Sequence, residues 1–176
     1  MRTRITAWAT NGLLVIDGVT VSPSSDLHDT GLIMVIPPHG VAIVTGVNMG
    51  PVLVDVEPRT SPPAAPDIEN WEDVAEFTAG RAPVVPVKVH GEMELPSSDA
   101  PDLSPSDSAY LRVRVSVNGR DAFHDLAVTE PSEHYLVQAW PVEESGEGVW
   151  KSVTSATAKS QRAARPLSDS SGADAG

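Results

Sequence analysis

The chain has 176 residues, of which 40% are hydrophobic and 5% aromatic. That is enough for one domain of ordinary size with a core of Val, Leu, Ile and Ala, and it argues against wholesale disorder. The absence of cysteine excludes a disulfide framework, a thiolate zinc site and a Cys nucleophile. The formal charge of -12, from 24 acids against 12 bases, is the reverse of the balance that a direct nucleic-acid binder carries.

At the start, MRTRITAWATNGLLVIDG has two early arginines but no long apolar stretch after them. Leu13–Ile16 is too short for a signal-peptide core, and no window approaches the ~18 apolar residues of a spanning helix. A soluble cytoplasmic protein without membrane contact is the expectation. From there, apolar runs of strand length recur between turn signals: Arg4–Trp8, Leu13–Val21, Leu32–Ile36, Val41–Val47 and Val52–Val56. IPPHGVAIV sets a four-residue Pro-Pro-His-Gly turn between two runs, and Asn48–Pro51 does the same before Val52. Both faces of Val41–Val47 are apolar or small, which predicts a buried central strand.

Pro58–Asp67 reads as a stiff exposed loop. In the next segment, PDIENWEDVAEFTAG, two periods compete. Ile68, Trp71, Ala75 and Thr78 fit a helix capped by Asp67, whereas Trp71, Asp73, Ala75 and Phe77 alternate like a strand. The extended reading, leading into Val84–Val89, is slightly favoured, with a short helix as the alternative. Pro96–Ser108 is a second long exposed loop.

In YLRVRVSVNG, Leu111, Val113, Val115 and Val117 point one way and Arg112, Arg114 and Ser116 the other, as in a half-exposed strand. The arginines on its outer face are expected to pair with nearby acids. Asn118-Gly119 ends that strand with residues that suit a tight hairpin. Phe123–Val128 and Tyr135–Trp140 read as further strands, and Gly148–Val153 as a weaker one. In Tyr135–Trp140, Leu136, Gln138 and Trp140 share one face, so a buried Gln138 needs hydrogen-bond partners. From Lys159 the composition turns to Ser, Ala, Gly and Asp, although QRAAR can form a helical turn. The expected fold is therefore all-β: a single antiparallel β-sandwich of about ten short strands, with one short helix possible. It occupies residues 1–158, with long loops at 58–67 and 96–108 and a flexible tail at 159–176.

Catalytic and cofactor chemistry find little support. His28, His39, His90, His124 and His134 lack HExxH or HxH spacing, and a composite metal site would need His90, His124, His134 and Glu92 together. His28-Asp29 and His124-Asp125 are adjacent pairs, which a strand sends to opposite faces. There is no GxSxG elbow and no phosphate-binding glycine loop. An enzyme, a metal and a cofactor are all unexpected.

What remains is recognition. Trp8, Trp71, Trp140 and Trp150 are core plugs in the plain reading and interface anchors in the sharper one. Two acidic groups are the candidate partner-binding surface. One is Asp67, Glu69, Glu72, Asp73 and Glu76; the other is Glu130, Glu133, Glu143, Glu144 and Glu147, with Trp150 beside it. The leading expectation is a non-enzymatic binding protein that offers an acidic surface to a basic protein partner, as a nuclease inhibitor or immunity-type protein does. The alternatives are a small-ligand or metal-binding sandwich and a structural assembly subunit.

Over roughly residues 71–159 the chain resembles a group of small bacterial all-β proteins. Their pattern appears here as Arg112–Val115, Gly119–Asp121, Glu130–Glu133 and Tyr135–Pro141, followed by Trp150-Lys151. This resemblance implies an all-β fold and no particular activity. In layout the chain is also similar to the competence protein J family, inhibitors of a secreted DNA-entry nuclease. Ile5–Trp8, Asp67–Glu76 and Tyr135–Pro141 stand where that family has an early strand, a Trp-containing acidic segment and a late aromatic strand. That likeness implies an acidic face that fills a nuclease groove.

Overall fold

Alternation of branched side chains builds the larger of two sheets. The computed structural model describes residues 1–21, 25–36, 40–66, 68–82, 85–94, 100–104, 107–143 and 148–164. Four long strands form its centre: β6 (Gly50–Pro58), β7 (Asp73–Arg81), β9 (Tyr110–Asn118) and β10 (His134–Val142). Each sends every second side chain inward, among them Val52, Phe77, Val113 and Val137, all essentially inaccessible to water. With β1 (Thr3–Ala9), β3 (Val19–Thr20) and β11 (Trp150–Val153), the order is β1-β6-β10-β9-β7-β11, and β3 also pairs with β7. The smaller sheet holds β4 (Ile33–Ile36), β5 (Gly40–Val44), β2 (Leu13–Asp17) and β8 (Lys88–Gly91), in that order. Leu14, Ile16, Val41, Ile43 and Val89 complete the core from this side. The chain is thus all-β with two facing sheets, as the apolar runs predict, and β7 takes the extended reading of the ambiguous Trp71 segment.

Several expectations need correction. The sandwich is not wholly antiparallel, because β10 lies parallel to β6, Tyr135 opposite Val54. The β9–β10 hairpin inserts beside β6, so β10 pairs with strands of opposite sense on its two edges. Leu13–Val21 is two strands. Gly18, at φ +79°, turns the chain from the smaller sheet into the larger, and a Cβ there would lie 2.5 Å from the Pro86 carbonyl oxygen. Asn48–Pro51 is no hairpin, since β5 and β6 belong to different sheets. Asn118-Gly119 opens the long 119–133 connection instead of a tight turn, and within it Phe123–Val128 forms turns with one bridge, Met49 to Ala127. β4 and β5 pair antiparallel, and the predicted PPHG turn between them lies, at residues 37–39, outside the described residues.

The two long loops each make contact with the sheets. Leu103 is fully buried, and its N–H donates to Val87 O at 2.8 Å. The 58–67 loop lies over the outer face of the larger sheet, where Ala64 O accepts from Arg114 Nη1 at 2.9 Å. Arg112 and Arg114 are consequently buried. Arg112 donates to Thr78 Oγ1 and Gly148 O, and Arg114 pairs with Glu76 at 3.2 Å. Gln138, also buried, donates to Glu57 at 2.7 Å. A helix, α2 (Ala156–Ala163), extends past residue 158, so the flexible tail does not begin at Lys159; residues 165–176 lie outside the described ones. One further short helix, α1, spans Ser25–His28.

Trp140 is 4% exposed, and the Arg114 guanidinium carbon stands 5.4 Å from its ring centroid. Trp140→Ala should therefore cost about 3–5 kcal/mol in urea denaturation, through lost packing and a lost cation–π contact.

Candidate functional site

The acids singled out in the sequence divide into three groups. Asp73 and Glu133 are buried, so they act inside the protein and are not part of a displayed surface. Asp73 accepts from Arg120 Nη1 at 2.8 Å, from Thr154 N–H and Ser155 N–H at 2.9 and 3.0 Å, and from Ser155 Oγ at 2.6 Å. Arg120 is itself fully buried, and its other terminal nitrogen donates to Gly31 O at 2.8 Å. Glu133 accepts from the N–H groups of Gly46 and Val47 and from the Tyr135 hydroxyl. Burial pushes the Glu133 carboxyl up from its ordinary range, against the pull of those donors and of Arg120. Burial beside that carboxylate also pushes the Tyr135 phenol up.

The second group is committed to neighbouring strands and loops. Glu76 holds Arg114, and Glu72 accepts from Gly119 N–H at 2.8 Å. Only the third group, Glu69, Glu130 and Glu143, is exposed, with Trp150 partly so. Asp67, Glu144 and Glu147 lie outside the described residues. Glu130 and Glu143 lie before and after the 9-residue strand β10, whose ends are roughly 26 Å apart. Glu69 and Glu72, by contrast, precede β7 at the end where β9 finishes and β10 begins. That end also carries Asp121, Asp125 and Glu130, all exposed.

The 119–133 connection at this end is tightly held. Asp121 accepts from Ala156 N–H and Thr157 N–H, both at 2.8 Å, and so caps the start of α2. Gly46 lies under Arg120: a Cβ there would come within 2.0 Å of the Arg120 carbonyl oxygen. Asp125 N–H donates to Gly46 O at 2.8 Å, and Asn48 N–H to Leu126 O at 2.9 Å. Between these segments and the 10–13 turn opens a cleft of about 130 Å³, lined in part by Asn11, Thr45, Asn48, His124, Asp125 and Gln161. His124 and Asp125 were expected on opposite faces of a strand. Turns replace that strand, Asp125 takes φ +59°, and both residues line one cleft.

On the outer face of the larger sheet stands a cluster that the sequence did not signal. Asp55, 2% exposed, receives Arg4 Nε at 2.8 Å, Arg4 Nη2 at 2.9 Å, His134 Nε2 at 2.8 Å, and Arg2. The Arg4 hydrogen bond, helped by those of His134 and Arg2, holds the Asp55 carboxyl well below the usual carboxylate range despite its burial. The register shows why the strands alone could not reveal it: Arg4 faces Asp55 across β1–β6, a pairing 51 residues apart. His90, on β8, belongs to the other sheet, so it does not join His134.

Two measurements follow from these clusters. Arg120→Ala leaves Asp73 buried without its cation and should cost about 3–5 kcal/mol. Asp73→Ala together with Arg120→Ala should cost clearly less than the sum of the two single changes, as a double-mutant cycle in urea will show. For Asp55, the folded state binds a proton less readily than the unfolded one. Its stabilisation is therefore present above the unfolded carboxyl pKa of about 4 and is lost as pH falls below it. Glu133 has the opposite sign, its contribution being greatest at low pH and declining as pH rises. Asp55→Asn should accordingly lower stability at pH 7 and flatten its fall below about pH 4, in thermal melts across pH.

Among the described residues no helix is long and apolar enough to cross a membrane. The chain matches no protein-family model, no curated protein and no solved structure.

Proposed function

We propose that the protein is a non-enzymatic binding protein whose acidic β9–β10 end meets a basic protein partner. The observation that carries this reading is the unequal placement of opposite charges. Arg114 and Arg120 are buried against Glu76 and Asp73, while Arg2 and Arg4 are tied to Asp55 and Arg59 to Glu57. Lys151 donates to Asp29 O. The exposed acids Glu69, Asp121, Asp125 and Glu130 then give the β9–β10 end its charge, with Lys159 and Arg162 of α2 the nearby exposed bases. An overall charge of -12 steers a cationic partner from a distance, and the loop acids give that attraction a place to end.

Apolar side chains stand among those acids. Met49, Phe123 and Leu126 are about half exposed, and Met49 N–H reaches Leu126 O at 3.4 Å. An apolar centre within a charged rim is the anatomy of a protein interface. The sharp form of the reading is inhibition of a nuclease or toxin with a basic groove.

The test is a pull-down at low and high salt. The protein should retain a basic partner at about 50 mM salt and release it near 500 mM, where the screening length has fallen to a few ångströms. Lysine in place of Glu69 and Glu130, both exposed, should sharply weaken retention while leaving the melting temperature nearly unchanged. Failure to retain any basic protein at low salt would sink the reading.

A further inference from the structure

The cleft beside His124 and Asp125 is too small for a free cofactor or substrate. Such ligands occupy pockets of roughly 300–1,000 Å³, against about 130 Å³ here. A cavity of roughly 150 Å³ accepts a group the size of benzene, so the space suits one side chain. The lining decides which one. Asp125, Asn48 and Gln161 stand in the lining, and among the described residues no lysine or arginine does. Asn11, also in the lining, gives its amide nitrogen to Glu92 at 3.0 Å. Leu13, Met34 and Val44 are the larger apolar residues of a mostly polar lining.

The site is also built in advance. Gly12 N–H donates to Asn48 O and Thr45 N–H to Gly12 O, both at 2.8 Å, in addition to the bonds that fix Asp125 and Asn48. Thr45 Oγ1 donates to Val47 O at 2.7 Å, and His124 Nδ1 lies 3.2 Å from Thr157 Oγ1. Among the described residues, the non-glycine positions with positive φ are Asn11 at 53° and Asp125 at 59°. Both line this cleft. Asn and Asp tolerate that conformation better than most residues, yet its concentration at one cleft is a mark of a functional surface.

We infer that this cleft is the anchor pocket for a single arginine side chain of the basic partner. The inference rests on the binding-protein reading above and names its point of contact. A planar guanidinium offers five N–H donors to the Asp125 carboxylate and the surrounding amide oxygens. Its methylene stem lies on the apolar residues of the lining, as such stems do. Arginine in a pre-formed pocket is among the commonest interface anchors.

The probe is N-acetyl-arginine amide, titrated into the isotope-labelled full chain and followed by NMR, with the lysine and glutamate analogues as controls. Saturable shifts should appear at Gly46, Asn48 and Asp125, with the lysine analogue weaker and the glutamate analogue silent. Asp125→Asn keeps the size and the tolerance for positive φ but removes the charge, and should weaken the arginine probe by about tenfold. If that variant does not fold, Gln161→Ala, on an exposed face of α2, should weaken it severalfold instead. Polylysine retention at low salt separates the two readings. If polylysine is retained and the arginine probe gives no saturable shift, or binds Asp125→Asn as well as the parent, the pocket assignment is wrong and the acidic surface stands. If polylysine is not retained at low salt, it is the acidic-surface reading that fails.

Discussion

A guanidinium taken fully out of water needs a carboxylate and further oxygen acceptors, and the two that Arg120 meets with its terminal nitrogens are brought together only when both sheets are in place. Asp73 comes from the larger sheet, and Gly31 O from the segment leading into the smaller one. The same carboxylate orders Ser155, whose hydroxyl then caps α2 by accepting from Ala158 N–H at 2.9 Å. The next residue, Asp121, holds the first turn of that helix from the other side. One buried ion pair thus joins the two layers, seats the helix and gives the 119–133 connection its starting point. A buried pair of this kind adds little net stability over an apolar substitute, but losing one partner is expensive. Its contribution is to admit one arrangement of the chain.

That arrangement accounts for how the cleft is supported. Gly46 approaches the Arg120 backbone too closely for any side chain, and Glu133 grips the N–H groups of Gly46 and Val47 from beneath. The cleft therefore rests on buried charge, whereas its mouth carries exposed charge. Acids that looked alike in the sequence do opposite work: Glu133 shapes the floor, and Glu130, three residues earlier, faces solvent.

Much of the fold was legible because alternation is a local signal. Leu111 to Val117 announced its inward face directly, and the observed core contains Leu111, Val113, Val115 and Val117. Burial of charged residues was not legible, since it depends on what covers a face. Arg112 and Arg114 alternate as solvent-facing residues do, yet Gly148 O and Ala64 O, from distant parts of the chain, accept from them in the interior. The Gly119-Arg120-Asp121 turn was visible as a short pattern, but nothing local says that Arg120 points into the core. The cleft was missed for a related reason. Phe123–Val128 has strand composition, yet the chain turns there, with Ala122 N–H bonded to Gly119 O at 3.2 Å and Leu126 N–H to Phe123 O at 3.1 Å.

The parallel alignment of β6 and β10 also bears on how the chain reaches its folded state. Neighbours such as β4 and β5 can zip together from a short turn. The centre of the larger sheet has no such route, because Val54 must meet Tyr135 across a long intervening segment. Closing so large a loop costs entropy before any ladder forms. A topology dominated by distant pairings folds slowly for that reason, and β6 keeps an unpaired edge until the β9–β10 unit arrives. During synthesis that edge must wait for residues made much later, and over that interval the chain is most open to wrong pairing.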